Sequence, residues 1–364
     1  MLKKLKNITL RMMAGANLAS IAVMWLVGYS DRIDPVSFPI LSTAGLIFPL
    51  FILINVLFLL FWICFKFKGV IIPVVGFLVC FVPMRKYAPL NLPQDNPNGA
   101  IKILSYNVWG FGSAAYTDSA SNPIIEYIKA QNADIVCLQE AATNAREQAR
   151  IDSILNPIYA HRDTARNGFN DLISIYSKHP IIGKEHIDYA SKSNLSAAFK
   201  LNIDGKEVIV VNNHLESTGI TIEERNHFHN LINGKLNTDT ASRTSKLLIK
   251  QLAISAKKRA PQAEAVARYV AFHRETPIIV CGDFNDGPIS YTHRTIAKDL
   301  TDCYVATANG PGISYHKSSF FVRIDNILCS PHFTPYGCKV DNRIKASDHY
   351  PIYCWLKIQG NTKP

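Results

Sequence analysis

The chain has 364 residues, enough for two or three ordinary domains, and a formal net charge of +11. Nine Lys and Arg stand against three Asp and Glu up to Asn98, which leaves 30 against 25 for the remainder, so the longer part is only mildly basic. A protein that binds DNA regardless of sequence usually carries a concentrated basic stripe, so bulk charge does not identify nucleic acid as a substrate.

The first 98 residues predict a membrane anchor followed by a linker. The segment Phe38 to Phe65 holds 28 residues without a charge, more than the roughly 20 that a helix needs to cross the hydrocarbon core. Met13 to Tyr29 is apolar except for Asn17 and Ser20, and Val70 to Met84 is apolar but short for a full crossing. We therefore predict a bundle of about three transmembrane helices, with a re-entrant third segment as the alternative.

Charges around these segments predict their orientation. Four basic residues precede the first apolar run: Lys3, Lys4, Lys6 and Arg11. A signal peptide also begins this way, but nothing after Gly28 resembles a cleavage site. Basic residues favour the cytoplasmic side, so the N-terminus and the loop with Lys66 and Lys68 are predicted inside, and the loop Asp31 to Asp34 outside. Three crossings give an integral plasma (inner) membrane protein whose remaining chain is extracytoplasmic, whereas a re-entrant third segment would leave it in the cytoplasm.

Beyond the Pro- and Asn-rich linker Tyr87 to Gly99, apolar runs of strand length alternate with helix-like stretches such as Ile124 to Ala130 and Ser242 to Phe272. The runs are IKILSYN, ADIVCLQE, DLISIYS, EVIVVNNH, PIIVCGDFN, RIDNILCS and YPIYCWL. Their β-branched residues favour buried strands, and the alternation predicts a layered α/β domain over residues 99–364, after the anchor and linker at 1–98.

Cysteine usage favours neither disulfides nor a thiolate metal site. The chain has eight Cys and no C-x-x-C pair. Four of them lie inside apolar runs, where a Cys usually behaves as a small buried hydrophobic residue: Cys137, Cys281, Cys329 and Cys354.

Polar side chains follow several of the predicted strands. Asn107 lies in SYNVWG and Glu140 ends LQE; each by itself is more often a turn or capping residue. In VIVVNNHLES, Asn212 and His214 are two apart and share a strand face, although a lone His there is often a satisfied half-buried residue.

Two further motifs make the pattern more specific. PIIVCGDFNDGP places Asp283 and Asn285 after a wholly apolar strand, and a carboxylate and an amide are costly to bury there unless they bind something polar. RIDNILCS supplies Asp325, and SDHYPI supplies Asp348 and His349 before an apolar strand. Strand ends are where layered α/β folds gather ligand sites, so these residues form one candidate site.

In combination and order, these motifs resemble the endonuclease/exonuclease/phosphatase superfamily. The resemblance runs from about Ile101 to Leu356 and is carried best by GDFN at Gly282 to Asn285 and SDH at Ser347 to His349, with RID at Arg323 to Asp325. It implies a four-layered α/β sandwich, in which two packed β-sheets are flanked by helices. It also implies a divalent-metal-dependent hydrolase of phosphoesters.

The resemblance implies Glu140 as the metal ligand, with Asn107 and Asp348 completing or supporting the shell. Carboxylate and amide oxygens, without a Cys cluster or an H-E-x-x-H motif, favour Mg²⁺ or Mn²⁺ over Zn²⁺. The position matched by Asp283 would orient or deprotonate the attacking water, and Asn285 would position that water or a phosphate oxygen.

For the remaining residues, the resemblance implies that His349 donates to a phosphoryl oxygen, that Asp325 holds its imidazole, and that His214 is a second donor. The chain has neither the G-x-S-x-G elbow nor the G-x-x-x-x-G-K-[ST] loop, so direct attack by water is the simplest mechanism.

Several alternatives stay open at this point. The substrate is a phospholipid, a nucleic acid or a small phosphorylated molecule. The main alternative function is that of a nuclease acting on DNA or RNA. A catalytically inactive, membrane-tethered binding module is disfavoured because no motif residue is missing. Membrane lipid around the N-terminal helices is the other predicted partner, and no protein partner is evident. The basic segment Glu216 to Phe272 is either a lid over the substrate or, as charge runs more often are, a solvated helix face.

Overall fold

The computed structural model describes residues 2–112, 122–168, 171–233, 235, 238–317 and 320–359. Its helices are α1 (Leu2–Gly28), α2 (Pro39–Ser42), α3 (Phe48–Phe65), α4 (Ile71–Val79), α5 (Phe81–Tyr87), α6 (Trp109–Gly112), α7 (Pro123–Gln131), α8 (Ala145–Leu155), α9 (Ile222–Ile232), α10 (Thr238–Phe272), α11 (Tyr291–Ile296) and α12 (Cys303–Thr307). Its strands are β1 (Ile101–Asn107), β2 (Ile135–Gln139), β3 (His161–Arg166), β4 (Leu172–Ser177), β5 (Ile181–His186), β6 (Leu195–Ile203), β7 (Lys206–His214), β8 (Ile278–Asp283), β9 (Thr301–Asp302), β10 (Asp325–Cys329), β11 (Phe333–Val340) and β12 (Ile352–Ile358).

The N-terminal helices form a bundle that buries two asparagines among apolar side chains and exposes many apolar side chains on its outside. Asn17 of α1 donates to Asn55 of α3 at 2.9 Å, and Trp62 Nε1 donates to the Asn17 amide oxygen at 3.0 Å. Asn17 and Asn55 are fully buried, while most leucines of α1 and α3 are exposed. Two helical segments, Lys3–Arg32 and Ala44–Phe65, are long and apolar enough to cross a membrane. This arrangement is the one expected when the surrounding medium is lipid.

The third apolar segment consists of α4 and α5, which meet at an angle of 67°. Pro83 explains the break, because its ring leaves no room for the carbonyl of Val79 and it has no N–H to bond that oxygen. The hydroxyl of Tyr29 donates to this carbonyl instead, at 3.3 Å. Beyond the bend the segment continues to the far end of the bundle, where Lys86 pairs with Asp31 at 2.5 Å. The end of the third segment and the end of α1 therefore lie together, opposite the N-terminus.

The rest of the described chain contains two mixed six-stranded sheets. The first has the order β11-β12-β1-β2-β4-β3 and the second β5-β6-β7-β8-β10-β9. Within each sheet one central pair is parallel, β1 with β2 and β7 with β8, and the other pairs are antiparallel. The parallel pairs bring the carboxyl ends of four strands to the same edge.

The sheets pack face to face over a buried apolar layer that includes Ile103, Ile175, Phe199, Val210 and Ile327. Helices α7 and α8 cover the outer face of the first sheet, and the C-terminal half of α10 with α11 covers the second. This confirms the predicted four-layered sandwich. The apolar runs are strands because both faces of each central strand are covered, which also explains why they lack an alternating pattern.

Helix α10 begins four residues before the predicted start at Ser242. Its C-terminal half packs on the second sheet and therefore cannot act as a lid. Its C-terminal half buries Ala263 and Val266 against the second sheet, and Arg259 is buried against Asp286. The C-terminal half of this basic helix is therefore held by buried contacts and is not a fully solvated face. All four cysteines predicted to be buried are buried, and none of the chain's cysteines forms a disulfide.

Candidate active site

The residues singled out in the sequence meet where β1, β2, β7, β8 and β10 present their ends to one another. In the strand registers, His214 and Asp325 both lie opposite Asp283, and Asn107 lies opposite Gln139, the residue before Glu140. Neighbouring strands lie about 4.8 Å apart, so their terminal side chains are within contact distance. Residues that are far apart in the chain therefore meet here, as Asn107 and Ser347 do at a separation of 240 positions.

Glycine is required at one position of this edge. Gly282 has φ +123°, and a Cβ built there would lie 2.0 Å from the carbonyl oxygen of Asn213 on β7. The close approach of the two parallel strands leaves no room for a side chain. The glycine of the GDFN motif therefore keeps β8 close to β7, and this sets the position of Asp283.

Asp283 is the centre of the candidate site. Its Oδ1 accepts the backbone N–H of Asn285 at 2.8 Å, and its Oδ2 accepts the Asn285 side-chain amide at 3.2 Å and the Asn107 amide at 3.1 Å. Nε2 of His349 lies 3.6 Å from the same oxygen, and Nε2 of His214 lies 4.0 Å from it. Amides and imidazoles thus surround one buried carboxylate.

Each imidazole has its own carboxylate on the other ring nitrogen. Nδ1 of His349 lies 2.8 Å from Asp325, and Nδ1 of His214 lies 2.7 Å from Asp171. Such a partner fixes the ring orientation and favours the protonated form. The Tyr315 ring also packs edge-on against His349, with ring centroids 5.1 Å apart. Both imidazoles are held with Nε2 directed at the centre of the site.

The charges in this cluster shift one another. Burial lowers the pKa of His349, but Asp325 and Asp283 outweigh it and raise the pKa to about 10. Burial likewise lowers the pKa of His214, and Asp171 outweighs it, giving a pKa of about 9. Burial raises the pKa of Asp283 to about 6 against the lowering effect of His349. At neutral pH the site therefore holds two imidazolium groups and an ionised Asp283.

Asn107 and Glu140 lie next to Asp283, and Asp348 follows Ser347, which bonds Asn107. The Asn107 amide donates to Glu140 at 3.0 Å, so it links Glu140 with Asp283. Ser347 donates to the Asn107 carbonyl at 2.8 Å and lies 3.4 Å from Asp348 Oδ1. Glu140 has a left-handed backbone, with φ +50°, the kind of strained conformation that functional sites often store.

Two positions in the site could hold a cation. Asp283, Asp325 and His349 have ligand atoms within 4.8 Å of one another, but all three are buried. Glu140 has a side chain that is 37% exposed, so an ion and a substrate can reach it. Its carboxylate is the kind of oxygen ligand that hard cations prefer, and it lies 3.0 Å from the Asn107 amide and 3.6 Å from Nε2 of His214. Glu140 is therefore the more accessible of the two candidate positions for a divalent cation.

Sequence reasoning missed Asp171. It directly precedes β4, where a single Asp is ordinary, and only the packing of the two sheets brings it to His214. Ser314 was also missed: its hydroxyl accepts the N–H groups of Ile324 and Asp325 and so holds the start of β10. No sequence motif marks either residue. Asn212, which shares a strand face with His214, bonds Gln139 and strand backbone between the sheets instead.

The two stacked sheets flanked by helices, with carboxylates and imidazoles at their parallel strand ends, define a four-layered α/β sandwich with one candidate catalytic site. The profile of the Endonuclease/Exonuclease/phosphatase family matches residues 104–349, and the chain belongs to this family. It is an enzyme that hydrolyses phosphoester bonds. Residues 10–87, which form the helical bundle, match a domain of unknown function (DUF8431).

Several solved structures are similar to this chain, and the first of the following shares its fold. An endonuclease/exonuclease/phosphatase from Beutenbergia cavernae has 17% identity and a TM-score of 0.52, with 72% of each chain covered. Truncated TDP2 from Caenorhabditis elegans has 16% identity and a TM-score of 0.48, and the match covers 72% of this chain and 99% of that one. A family protein from Bacteroides thetaiotaomicron has 15% identity and a TM-score of 0.48, covering 73% and 100%. No curated protein matches the chain.

Proposed function

We propose that the protein is a membrane-anchored, divalent-metal-dependent phosphoesterase in which an activated water attacks phosphorus directly. One observation carries the proposal: Asp283 lies among Asn107, Asn285, His214 and His349, with the polar atoms of all four within 4.0 Å of its carboxylate. A carboxylate held ionised beside two imidazolium groups suits the handling of a water next to an anionic phosphoryl group.

In this proposal Asp283 orients the attacking water and accepts its proton, and Asn285 holds the water or a phosphate oxygen in line. His349 and His214 donate from Nε2 to non-bridging oxygens, where negative charge develops in the transition state. Asp325 and Asp171 keep the two rings oriented and charged.

Glu140, Asn107 and Asp348 would hold Mg²⁺ or Mn²⁺ on the open side of the site. The bound ion would polarise a phosphoryl oxygen and stabilise charge on the leaving oxygen. No covalent intermediate is required, because Asp283 is a base that can accept the proton of an attacking water.

The apolar bundle supports the anchoring part of the proposal. A helical bundle with buried asparagines and exposed leucines would be unstable in water, whereas lipid accommodates it. We propose that it lies in the plasma (inner) membrane and that the hydrolase part is extracytoplasmic. An enzyme held at a bilayer meets lipid-borne phosphoesters at high local concentration, so a phospholipid or another envelope phosphoester is the preferred substrate class.

The test is a substrate panel with the full chain in detergent micelles, supplied with Mg²⁺ or Mn²⁺. Sphingomyelin and phosphatidylglycerol represent lipids, plasmid DNA and an abasic oligonucleotide represent nucleic acids, and inositol phosphates represent small molecules. Hydrolysis of a lipid that is lost in Asp283→Asn supports the proposal. Turnover of DNA or of the oligonucleotide alone would make the protein a membrane-tethered nuclease, and no turnover of any class would contradict the proposed substrate range.

A further inference from the structure

A groove of about 470 Å³ separates helix α2 from the N-terminal half of α10, outside the candidate active site. This volume is within the roughly 300–1,000 Å³ range of ligand clefts. Isoleucines and lysines form most of its lining: Ile40, Lys246, Ile249, Lys250, Ile254 and Lys257. The groove is thus lined by apolar side chains from both helices and by basic side chains from α10.

The apolar part of the groove is open to the surroundings. Ile40 is 60% exposed, Ile249 44% and Ile254 42%. The exposed apolar surface continues from Ile40 to Leu41 and then to Leu46, at the start of the apolar segment Ala44–Phe65. Contiguous exposed apolar surface of this kind marks an interaction site, and here it is continuous with the surface of the membrane bundle.

The basic part is a stripe on α10. Lys246, Lys250 and Lys257 are spaced at i, i+4 and i+11, so at 3.6 residues per turn they lie within about 40° of one another around the helix. Within the described ranges none of the three pairs with an acidic side chain, whereas the next residue, Lys258, pairs with Glu216 at 2.8 Å. The stripe therefore keeps its positive charge available for an anion.

We propose that this groove binds one anionic phospholipid of the surrounding bilayer, with an acyl chain along Ile40, Ile249 and Ile254 and the phosphate on the lysine stripe. The proposal rests on the membrane anchoring proposed above. A lipid is the occupant because the groove joins the bundle surface and combines an apolar channel with unpaired positive charge. The lipid would hold α10, and with it the second sheet, against the bilayer surface.

Native mass spectrometry of the full chain in detergent micelles tests this directly. The probes are dioleoyl-phosphatidylglycerol and dioleoyl-phosphatidylcholine, which share their acyl chains and differ in net charge. Each Lys near an anionic lipid contributes about a fivefold change in affinity, so K246Q/K250Q/K257Q should weaken phosphatidylglycerol binding about a hundredfold. The matched control is K192Q/K206Q/K339Q, which removes three exposed lysines outside the groove and should leave binding unchanged.

A second variant, I40S/I249S, tests the apolar part and should weaken both lipids. A photoactivatable acyl chain should label peptides from α2 and α10. Equal binding of phosphatidylglycerol by the groove variant and the control overturns the proposal, as does full competition by free glycerol phosphate, which would identify a simple anion site. If the wild-type chain remains soluble without detergent and does not enter nanodiscs, the membrane anchoring fails and the lipid site fails with it. Entry into nanodiscs without lysine-dependent binding overturns the lipid site alone.

Discussion

His349 connects two carboxylates: its Nδ1 lies 2.8 Å from Asp325, and its Nε2 lies 3.6 Å from Asp283. Asp325 and Asp283 are opposite each other in neighbouring strands, whereas His349 comes from a loop before β12 in the other sheet. The imidazole therefore joins the two sheets at the candidate active site. Both carboxylates raise the pKa of His349 and so favour its protonated form.

We predict that Asp283→Asn and His349→Ala each lower kcat by about 10²- to 10⁴-fold on the authentic substrate, because a general base and a charge-stabilising donor each contribute this much. Asp325→Asn should be milder, about ten- to a hundredfold, since it acts through the imidazole. Steady-state kinetics of the full chain, with circular dichroism to verify folding, is the measurement. A folded Asp283→Asn enzyme with near wild-type turnover would remove Asp283 from the mechanism.

Chelation should abolish turnover, and Mg²⁺ or Mn²⁺ should restore it. If Glu140 is the ligand, Glu140→Gln raises the half-saturating Mg²⁺ concentration by at least about tenfold. The control is Glu207→Gln, at an exposed glutamate on β7, which should leave it unchanged. If Asp325→Asn shifts the metal requirement and Glu140→Gln does not, the cation binds at the buried Asp283, Asp325 and His349 cluster instead.

The pH profile of kcat/KM should be bell-shaped, with a plateau between about pH 6 and 9. Below it Asp283, whose pKa is raised to about 6, becomes protonated and loses its function as a base. Above it His214, whose pKa is about 9, loses its proton. Asp171→Asn removes the charge that raises the pKa of His214, so the alkaline limb should move to lower pH. An unchanged alkaline limb in this variant would contradict the role of His214.

Asp302 and Arg323 form a buried pair that should contribute to stability. Burial raises the pKa of Asp302, but Arg323 and His293 outweigh it and the pKa falls to about 2. Because the folded-state pKa is depressed, the contribution is present above about pH 4 and is lost as the pH falls towards 2. It amounts to about 2 kcal/mol at neutral pH.

We therefore predict that Asp302→Asn lowers the free energy of unfolding at pH 7 by about 2–4 kcal/mol, since it also leaves Arg323 without its carboxylate. Denaturant unfolding of the full chain in detergent micelles measures this, with Asp188→Asn as an exposed control. Equal stability of the two variants at pH 7 would show that the pair contributes nothing.

Topology can be tested separately from chemistry. Because the end of the third segment lies beside Asp31, opposite the N-terminus, a membrane bundle places the hydrolase part and the N-terminus on opposite sides. Basic residues at the N-terminus then favour an extracytoplasmic hydrolase. Protease added to spheroplasts should digest the chain after Tyr87 while an N-terminal tag stays protected. Digestion of the tag with protection of the C-terminal part would reverse the orientation.

The sequence by itself determined the class of fold and most of the candidate site. Wholly apolar runs of strand length favoured strands covered on both faces, and the polar residues directly after them were expected to lie close together because ligand sites gather at strand ends. This placement and the family resemblance together singled out Glu140, Asp283 and His349 without a structure. Uninterrupted apolar segments likewise predicted the helical bundle, since hydropathy is a local property.

Contacts between distant segments were decided only by the tertiary structure. Asp171 lies 43 residues from His214, and nothing in its own neighbourhood distinguishes it from a turn residue. Arg323 belongs to a motif of the site, yet its guanidinium donates to the Lys86 carbonyl at the end of the bundle, 237 residues away. From the sequence, the lysine stripe of α10 is expected to be a solvated helix face. In the structure α2 lies beside it, and the two helices line one groove. The local sequence pattern determines on which face of a strand or helix a residue lies. Which residue it contacts across that face depends on how distant elements pack together, and neither residue's own sequence neighbourhood specifies that packing.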